Sequence, residues 1–144
     1  MPTRFDHEKL RAYQEALRFV AWAGPIIESL PPKLAARDQL ERASTSMVLN
    51  TAEGNGKRSA PDRCRYFDIA RGSTLECAAC LDVLVARDKL PGETASVGKD
   101  ILVGVVSLLA GLIARFTDGR HEVREEQAPY EFGLRQAERE NEND

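Results

Sequence analysis

The sequence predicts an all-α protein that folds as an antiparallel up-down-up-down four-helix bundle. Four segments repeat apolar residues at helical spacing, and no segment alternates in the pattern of a strand with comparable strength. Glycine and proline separate these segments by short connections, which place consecutive helices side by side in opposite directions. The chain of 144 residues is the size of one domain and can bury a core without metals or disulfides. We expect the bundle to span residues 5–118.

The first helix is predicted to begin at Asp6, which suits an N-cap, and to end at Pro31-Pro32. Gly24-Pro25 falls inside this segment. Because proline has no backbone N–H to donate, we expect a kink or a break there. The predicted apolar face consists of Leu10, Tyr13, Leu17, Val20, Ile27 and Leu30.

The second helix is predicted over residues 34–55, because Gly54 and Gly56 favour the left-handed conformation that closes a helix. The third begins at Ser59 or Ala60 and continues to about residue 90, where Pro91-Gly92 ends it. Residues 93–97 are expected to form a loop with Ser96 as the cap. The fourth helix then runs over residues 97–116. Core positions on these three helices are Leu40, Ala43, Met47, Phe67, Ala70, Leu75, Ala78, Leu81, Val85, Ile101, Val105, Leu108, Leu112 and Phe116.

Composition and charge indicate a cytoplasmic protein. Residues 1–6 lack the apolar segment of a secretory signal, and three cysteines are an odd number, as expected for reduced thiols. The longest apolar run, residues 101–114, is too short to span a bilayer, so no membrane role is predicted. Residues 119–144 are expected to be a polar, acidic and partly disordered tail.

Polar side chains occupy one face of the second helix and part of the third. Glu53 and Glu76 could pair as metal-binding carboxylates, but a di-iron bundle also needs Glu-x-x-His pairs, which His7 and His121 do not complete. A hydrogen-bond network that fixes helix register is the favoured interpretation, because buried polar groups must be paired. Its predicted members are Arg42, Ser46, Asn50, Glu53, Ser73 and Glu76.

Other candidates for chemistry are weaker. Cys77 and Cys80 face the same side of the third helix, but zinc needs four ligands, so we interpret them as core residues. Residues 54–59 contain glycines and a lysine without the spacing of a nucleotide-binding loop. No serine lies in a nucleophile signature with a histidine. We therefore predict no enzyme, no metal and no cofactor.

A basic cluster lies around the start of the third helix: Lys57, Arg58, Arg63, Arg65 and Arg71. Free backbone N–H groups at the helix start also favour anions. Tyr66 and Phe67 are close by. The cluster can be a solvated loop beside core aromatics, or a contact with the phosphate backbone of RNA or DNA.

Two motifs carry a resemblance to a known family. Residues 39–56 have an Arg, then a Ser, then Asn50-Thr51-Ala52-Glu53-Gly54-Asn55-Gly56; residues 66–76 have an aromatic pair before Ala70-Arg71-Gly72-Ser73-Thr74-Leu75-Glu76. This combination resembles the bacterial four-helix bundle protein family, also called the ribosomal RNA intervening-sequence protein family. Phe5, Leu10 and Tyr13 fit its first helix, so the resemblance covers about residues 5–116.

The resemblance implies an up-and-down bundle that assembles as a homopentamer. A related member, the accessory protein of diversity-generating retroelements, is a basic barrel that binds nucleic acid and the reverse transcriptase. Other members are encoded within insertions in large-subunit ribosomal RNA genes. This sequence departs from the family in its net charge of −3, in Gly24-Pro25 and in its charged tail. The acidity weakens the implied nucleic-acid binding most.

Two functions from different classes follow. The first is a homo-oligomeric protein that binds RNA or DNA, or a ribonucleoprotein, through the basic cluster. The alternative is a protein–protein interaction or scaffold module with no nucleic-acid role, which net acidity favours.

Overall fold

Four α-helices, preceded by a short 3-10 helix, form the part of the chain that the computed structural model describes, residues 2–118. The 3-10 helix is Asp6–Lys9, and the α-helices are α1 (Arg11–Ser29), α2 (Ala35–Gly56), α3 (Ala60–Ala86) and α4 (Gly92–Thr117). No strand occurs within this range, which confirms the all-α four-helix prediction. The predicted acidic tail lies outside the described residues.

Contacts between α2 and α3 show that these helices run in opposite directions. Ser46 in the middle of α2 meets Ser73 of α3. Gly54, near the end of α2, instead faces Phe67, near the start of α3. Later residues of α2 therefore contact earlier residues of α3, as in an antiparallel pair. These two helices share the most extensive interface of the bundle.

The remaining helices close the ring in the same way. Cys64 at the start of α3 contacts Thr117 at the end of α4, whereas Asp82 near the end of α3 pairs with Lys99 near the start of α4. Trp22, late in α1, lies against Gly98, early in α4. Each helix thus packs on its neighbours in chain order, and α1 packs on α4.

The core takes one face of every helix. Its largest fully buried side chains include Phe19, Leu40, Met47, Phe67, Leu81, Leu84, Leu102 and Leu109. Burying one side chain of this size contributes about 1.5–3 kcal/mol relative to exposure. The core therefore has enough apolar volume to hold the four helices together without a bound metal or a disulfide.

The buried face of α1 differs from the predicted one. Its core residues are Ala12, Ala16, Phe19, Ala23 and Ile27, at spacings of three or four. Leu17 is 42% exposed, and Leu10, Tyr13 and Val20 are only partly buried, whereas Ile27 and Leu30 are buried as predicted. Alanine occupies the inner face because a small side chain allows α1 to approach its neighbours closely.

Helix starts and ends differ from the prediction at α1. Asp6 does not cap α1 but is the first residue of the 3-10 helix. Glu8 caps the start of that short helix by accepting hydrogen bonds from the backbone N–H groups of Arg4 and Phe5. The helix also continues unbroken through Pro25, whose ring lies on the exposed side. Packing on both sides of the proline offsets the lost backbone hydrogen bond.

The turn between α3 and α4 is shorter than predicted. Asp88 adopts the left-handed conformation (φ 59°) just after α3, and Lys89 N–H donates to the Leu84 carbonyl at 2.8 Å. This pattern is a Schellman motif with aspartate where glycine is usual. Helix α4 then begins at Gly92 after Pro91, so residues 93–97 are helical and Ser96 is not a cap.

Helix α4 is long and apolar enough, by length and composition, to cross a membrane. The apolar run of residues 101–114 is thus part of a longer helix of 26 residues. A core helix of a soluble protein meets the same criterion. In a single chain, 39% of its most apolar window is buried, and Val97 and Val103 are more than half exposed.

Candidate nucleic-acid interface

One end of the bundle brings together the end of α2, the start of α3 and the end of α4. Three residues connect α2 to α3, and Ser59 caps α3 by accepting a hydrogen bond from the Asp62 N–H at 3.2 Å. The Cys64 sulfur lies 3.7 Å from the Ile113 carbonyl oxygen and 3.6 Å from the Thr117 hydroxyl. These contacts hold the start of α3 against the end of α4, so cations from the α2–α3 connection, from α3 and from α4 reach the same surface.

Tyr66 holds two of these cations. The Lys57 ammonium lies 4.8 Å from the ring centroid, and the Arg65 guanidinium lies 5.2 Å from it. Each such contact contributes about 0.5–1 kcal/mol at an exposed site. Lys57 also lies 3.5 Å from the Glu53 carboxylate one turn earlier. The tyrosine therefore fixes where two positive charges sit.

Phe116 holds two more. The guanidinium of Arg63 lies 4.9 Å from its ring centroid and that of Arg115 lies 5.4 Å away. The Phe116 ring also stacks on Phe67, at a centroid distance of 6.2 Å, and Phe67 is fully buried. The second pair of cations is therefore anchored through phenylalanine to the core.

We name the cations at this end the basic corner, consisting of Lys57, Arg58, Arg63, Arg65 and Arg115. Four of the five residues predicted from the sequence belong to it. Arg58 is exposed in the connection between α2 and α3. Arg71 is half-buried and lies about two turns further along α3 than Arg63. Arg115 was missed because it is distant in sequence, although its place at the end of α4 in an antiparallel bundle was a usable signal.

The charge of the chain is unevenly distributed. Residues 57–71 contain five basic and two acidic side chains. Residues 119–144 contain eight acidic and four basic side chains, which leaves sixteen basic and fifteen acidic ones in residues 1–118. The negative net charge thus comes from the tail sequence, and it is no argument against an anion at the basic corner.

The start of α3 contributes less than predicted. The Asp62 N–H donates to the Ser59 side chain, and the Arg63 N–H donates to the Ser59 carbonyl at 3.0 Å. Pro61 has no N–H to offer. The expectation of free N–H groups at this helix start is therefore wrong for most of the first turn, and side-chain cations dominate the attraction for anions.

The structure brings together half of the predicted polar network. The hydroxyl oxygens of Ser46 and Ser73 lie 2.8 Å apart, and the Asn50 amide donates to the Ser46 carbonyl and hydroxyl at 2.9 and 3.0 Å. The Ser46–Ser73 bond joins α2 to α3 at one position along the helices, and the two Asn50 bonds, both within α2, orient Ser46. Such a link fixes their register.

The charged members of the predicted network lie elsewhere. Arg42 pairs with Asp38 at 3.1 Å on the surface, Glu53 pairs with Lys57, and Glu76 is exposed on α3. Solvation satisfies these groups at a lower free-energy cost than burial. The structure therefore does not bring Glu53 and Glu76 into the buried interface between α2 and α3, where Ser46 and Ser73 meet.

Two threonines that sequence reasoning missed are buried at this seam. The hydroxyls of Thr51 and Thr74 donate to the backbone carbonyls of Met47 and Ala70, four residues earlier, at 2.7 and 2.8 Å. Both side chains are 0% exposed. Each threonine satisfies its own hydroxyl within its helix, so it can be buried without a partner on the facing helix.

The two buried thiols, Cys77 and Cys80, show no sign of activation. Burial raises the pKa of Cys77 to about 12, and burial followed by the charge of Glu76 raises the pKa of Cys80. A protonated thiol is a poor nucleophile and metal ligand. Across residues 2–118, no three His, Cys, Asp or Glu side chains are grouped so that they could hold a metal ion.

Comparison with known proteins adds the family. Residues 8–111 match the sequence model of the family described as 23S rRNA-intervening sequence protein. The fold is similar to the crystal structure of a protein of unknown function from the S23 ribosomal protein family of Bacteroides thetaiotaomicron, with a TM-score of 0.65. That alignment has 19% sequence identity and covers 71% of this chain and 97% of the other, so it shows the fold alone. No curated protein matches the chain.

Proposed function

We propose that this chain, which belongs to the 23S rRNA-intervening sequence protein family, is a non-catalytic, homo-oligomeric bundle that binds RNA or DNA. The nucleic acid, free or in a ribonucleoprotein, contacts the basic corner, and Arg71 extends this surface along α3. One observation carries the proposal. Cations from the α2–α3 connection, from α3 and from α4 converge at one end of the bundle, where two aromatic rings contact four of them.

Phosphate is the chemical group that best fits this surface. Each contact between a cation and a phosphate releases condensed counterions, which gives affinity without base recognition. The guanidinium group of arginine matches phosphate in a two-pronged geometry, and four of the five members of the basic corner are arginines. The rings reduce the side-chain freedom that binding would otherwise remove.

Self-association, with a pentamer as the expected state, completes the proposal. Helix α4 leaves most of its apolar window outside the core of a single chain. Its exposed valines, Val97 and Val103, give neighbouring copies an apolar surface to cover. Copies around a ring would also repeat the basic corner, which multiplies the number of phosphate contacts. We propose a cytoplasmic location for this assembly, where the three free thiols stay reduced.

A titration against a structured RNA hairpin, by filter binding at about 50 and 200 mM salt, tests the proposed function. We expect affinity to fall by more than tenfold between the two salt concentrations, because several phosphate contacts are involved. The double substitution Arg58→Glu plus Arg63→Glu should abolish most of the binding at low salt.

The matched control is Lys33→Glu plus Lys89→Glu, which makes the same change of net charge at exposed positions at the other end of the bundle. It should bind almost as the unchanged protein does. Absence of binding at low salt, or equal losses in the two double variants, would refute a local nucleic-acid site and favour the scaffold alternative. Light scattering on the same samples measures the subunit number, and a monomer at all concentrations would contradict self-association.

A further inference from the structure

We propose that the basic corner binds the phosphodiester backbone without stacking any base. The inference rests on the proposed function and adds the part of the nucleic acid that is recognised. Proteins that bind single strands through their bases combine a basic groove with aromatic faces on which bases stack. At the basic corner, lysine and arginine side chains of the protein already lie over the rings of Tyr66 and Phe116.

Tyr66 is the first ring that a base would need. The Lys57 ammonium and the Arg65 guanidinium both lie within about 5 Å of its centroid. A base that stacked on Tyr66 would displace at least one of them. The free energy gained from stacking, about 1–3 kcal/mol per base, would then be reduced by the loss of the cation–π contact.

Phe116 is unavailable for a similar reason. Arg63 and Arg115 lie over its ring, and Phe67 stacks against it. Because Phe67 is fully buried, the phenylalanine pair is continuous with the core. The ring thus acts as a support for two guanidinium groups, whose outward N–H groups remain suited to phosphate oxygens.

Among residues 2–118, Phe5 is the aromatic ring near this end with a large exposed area. It is 65% exposed, and it stacks on His7 at a centroid distance of 5.9 Å. The neighbouring Asp6 accepts a hydrogen bond from the Asn55 amide at 2.9 Å, which places Phe5 at the same end of the bundle. No cation lies over Phe5 among the contacts of residues 2–118. If a base stacked on the protein at this end, Phe5 is therefore the ring on which we would expect it to stack.

The test compares three probes of equal phosphate number at low salt: a thymine-bearing DNA strand, an abasic strand of the same length and a DNA hairpin. Fluorescence anisotropy gives the three dissociation constants. We expect the abasic and thymine-bearing strands to bind within about twofold of each other, because they present the same phosphates. The hairpin should bind at least as tightly, since its charge density is higher.

A thymine-bearing strand that binds more than tenfold tighter than the abasic strand would overturn the inference, while leaving the proposed function intact. Failure of all three probes and of the RNA hairpin to bind would overturn the proposed function and the inference with it. The two failures are therefore distinguishable in one experiment.

Two substitutions make the comparison sharper. Tyr66→Leu removes the support for Lys57 and Arg65, and we expect it to weaken all three probes by a similar factor, about two- to fivefold. Phe5→Ala should change none of them. Selective loss of the thymine-bearing strand in either variant would instead show that a base stacks on that ring. Far-UV circular dichroism confirms that both variants stay helical.

Discussion

Two helix–helix interfaces, the α2–α3 seam and the α1–α4 seam, fix the register of their helices by different interactions. At the first, the hydroxyl groups of Ser46 and Ser73 form a hydrogen bond between the helices, and the Asn50 amide supports Ser46 from within α2. At the second, alanines and Gly98 bring the backbones close, and Trp22 fills the remaining space. The first seam sets register through a directional bond, whereas the second sets it through the shapes of closely packed side chains.

The difference matters because the two mechanisms fail in different ways. A directional bond permits one alignment, and its loss leaves polar groups unsatisfied at a cost of about 1–3 kcal/mol. Shape complementarity instead fails gradually, since a side chain at the rim can move outward. We therefore expect α2 and α3 to be the rigid half of the bundle that positions the basic corner.

Gly54→Ala should give the largest effect. An added Cβ would lie 2.7 Å from two ring carbons of Phe67 and 3.2 Å from the Arg63 carbonyl oxygen. Phe67 is fully buried and the carbonyl is backbone, so neither can move away easily. We expect a loss of about 2 kcal/mol in the free energy of unfolding, measured by urea denaturation.

The control for this substitution is Gly72→Ala on α3, where an added Cβ meets no atom within 4 Å. It should raise the free energy of unfolding by about 0.5–1 kcal/mol, because alanine favours the helix more than glycine does. If both variants were equally stable, close packing at Gly54 would not be the reason for glycine there.

Gly98→Ala tests the other seam and should have a smaller effect. The added Cβ would lie 2.4 Å from two ring carbons of Trp22 and 3.0 Å from a Leu81 methyl. The distance is shorter, but Trp22 is only partly buried, so its ring can move away from the added Cβ. We expect a loss of about 1 kcal/mol together with a red shift of tryptophan emission. A larger loss than for Gly54→Ala would reverse the proposed order of rigidity.

A double-mutant cycle on Ser46 and Ser73 measures the hydrogen bond across the polar seam. Each alanine substitution should lower the free energy of unfolding by about 1 kcal/mol, and the double variant should lose less than the sum, with a coupling of about 0.5–1 kcal/mol. Thr45→Ala serves as the control, because its hydroxyl bonds only to the Glu41 carbonyl on its own helix. Additive losses at Ser46 and Ser73 would mean that the bond between the helices contributes nothing.

Thiol labelling of the folded protein measures the smallest of the effects predicted for the two seams. Because its pKa is raised to about 12 by burial, Cys77 stays protonated at pH 8 and should resist iodoacetamide. Cys64, which is only partly buried, should react first. Labelling of Cys77 should accelerate more in Gly54→Ala than in Gly98→Ala, as mass spectrometry would show, if the polar seam controls opening of the core.

Much of the fold could be predicted from the sequence because the residues that end and separate the helices act locally. Pro31-Pro32 and Pro91 lie in the connections, and apolar spacing marks the helices. The expected left-handed glycine at the end of α2 is wrong, because Gly54 and Gly56 are helical and no glycine in residues 2–118 has a positive φ. Three features depended on tertiary packing instead. Alanine lines the inner face of α1, Pro25 stays within a helix, and Asp88 takes a conformation usually left to glycine.

The candidate site was partly predictable for the same reason. Lys57, Arg58, Arg63 and Arg65 are close in sequence, so a local pattern revealed them. Arg115 and Phe116 join them only after α4 returns to the start of α3. The network prediction grouped residues by helical spacing, but spacing does not distinguish the inward Ser46 from the solvated Arg42, which differ in how costly burial is.

Pro25 has a consequence for how the bundle moves. Since it supplies no amide hydrogen, the carbonyl of Ala21 lacks its usual donor four residues ahead, and water can reach it on this exposed side. Helix α1 also has the smaller interfaces with its two neighbours. Deuterium uptake should therefore begin in α1, so that the ring of helices loosens at this hydrated point while α2 and α3 stay locked.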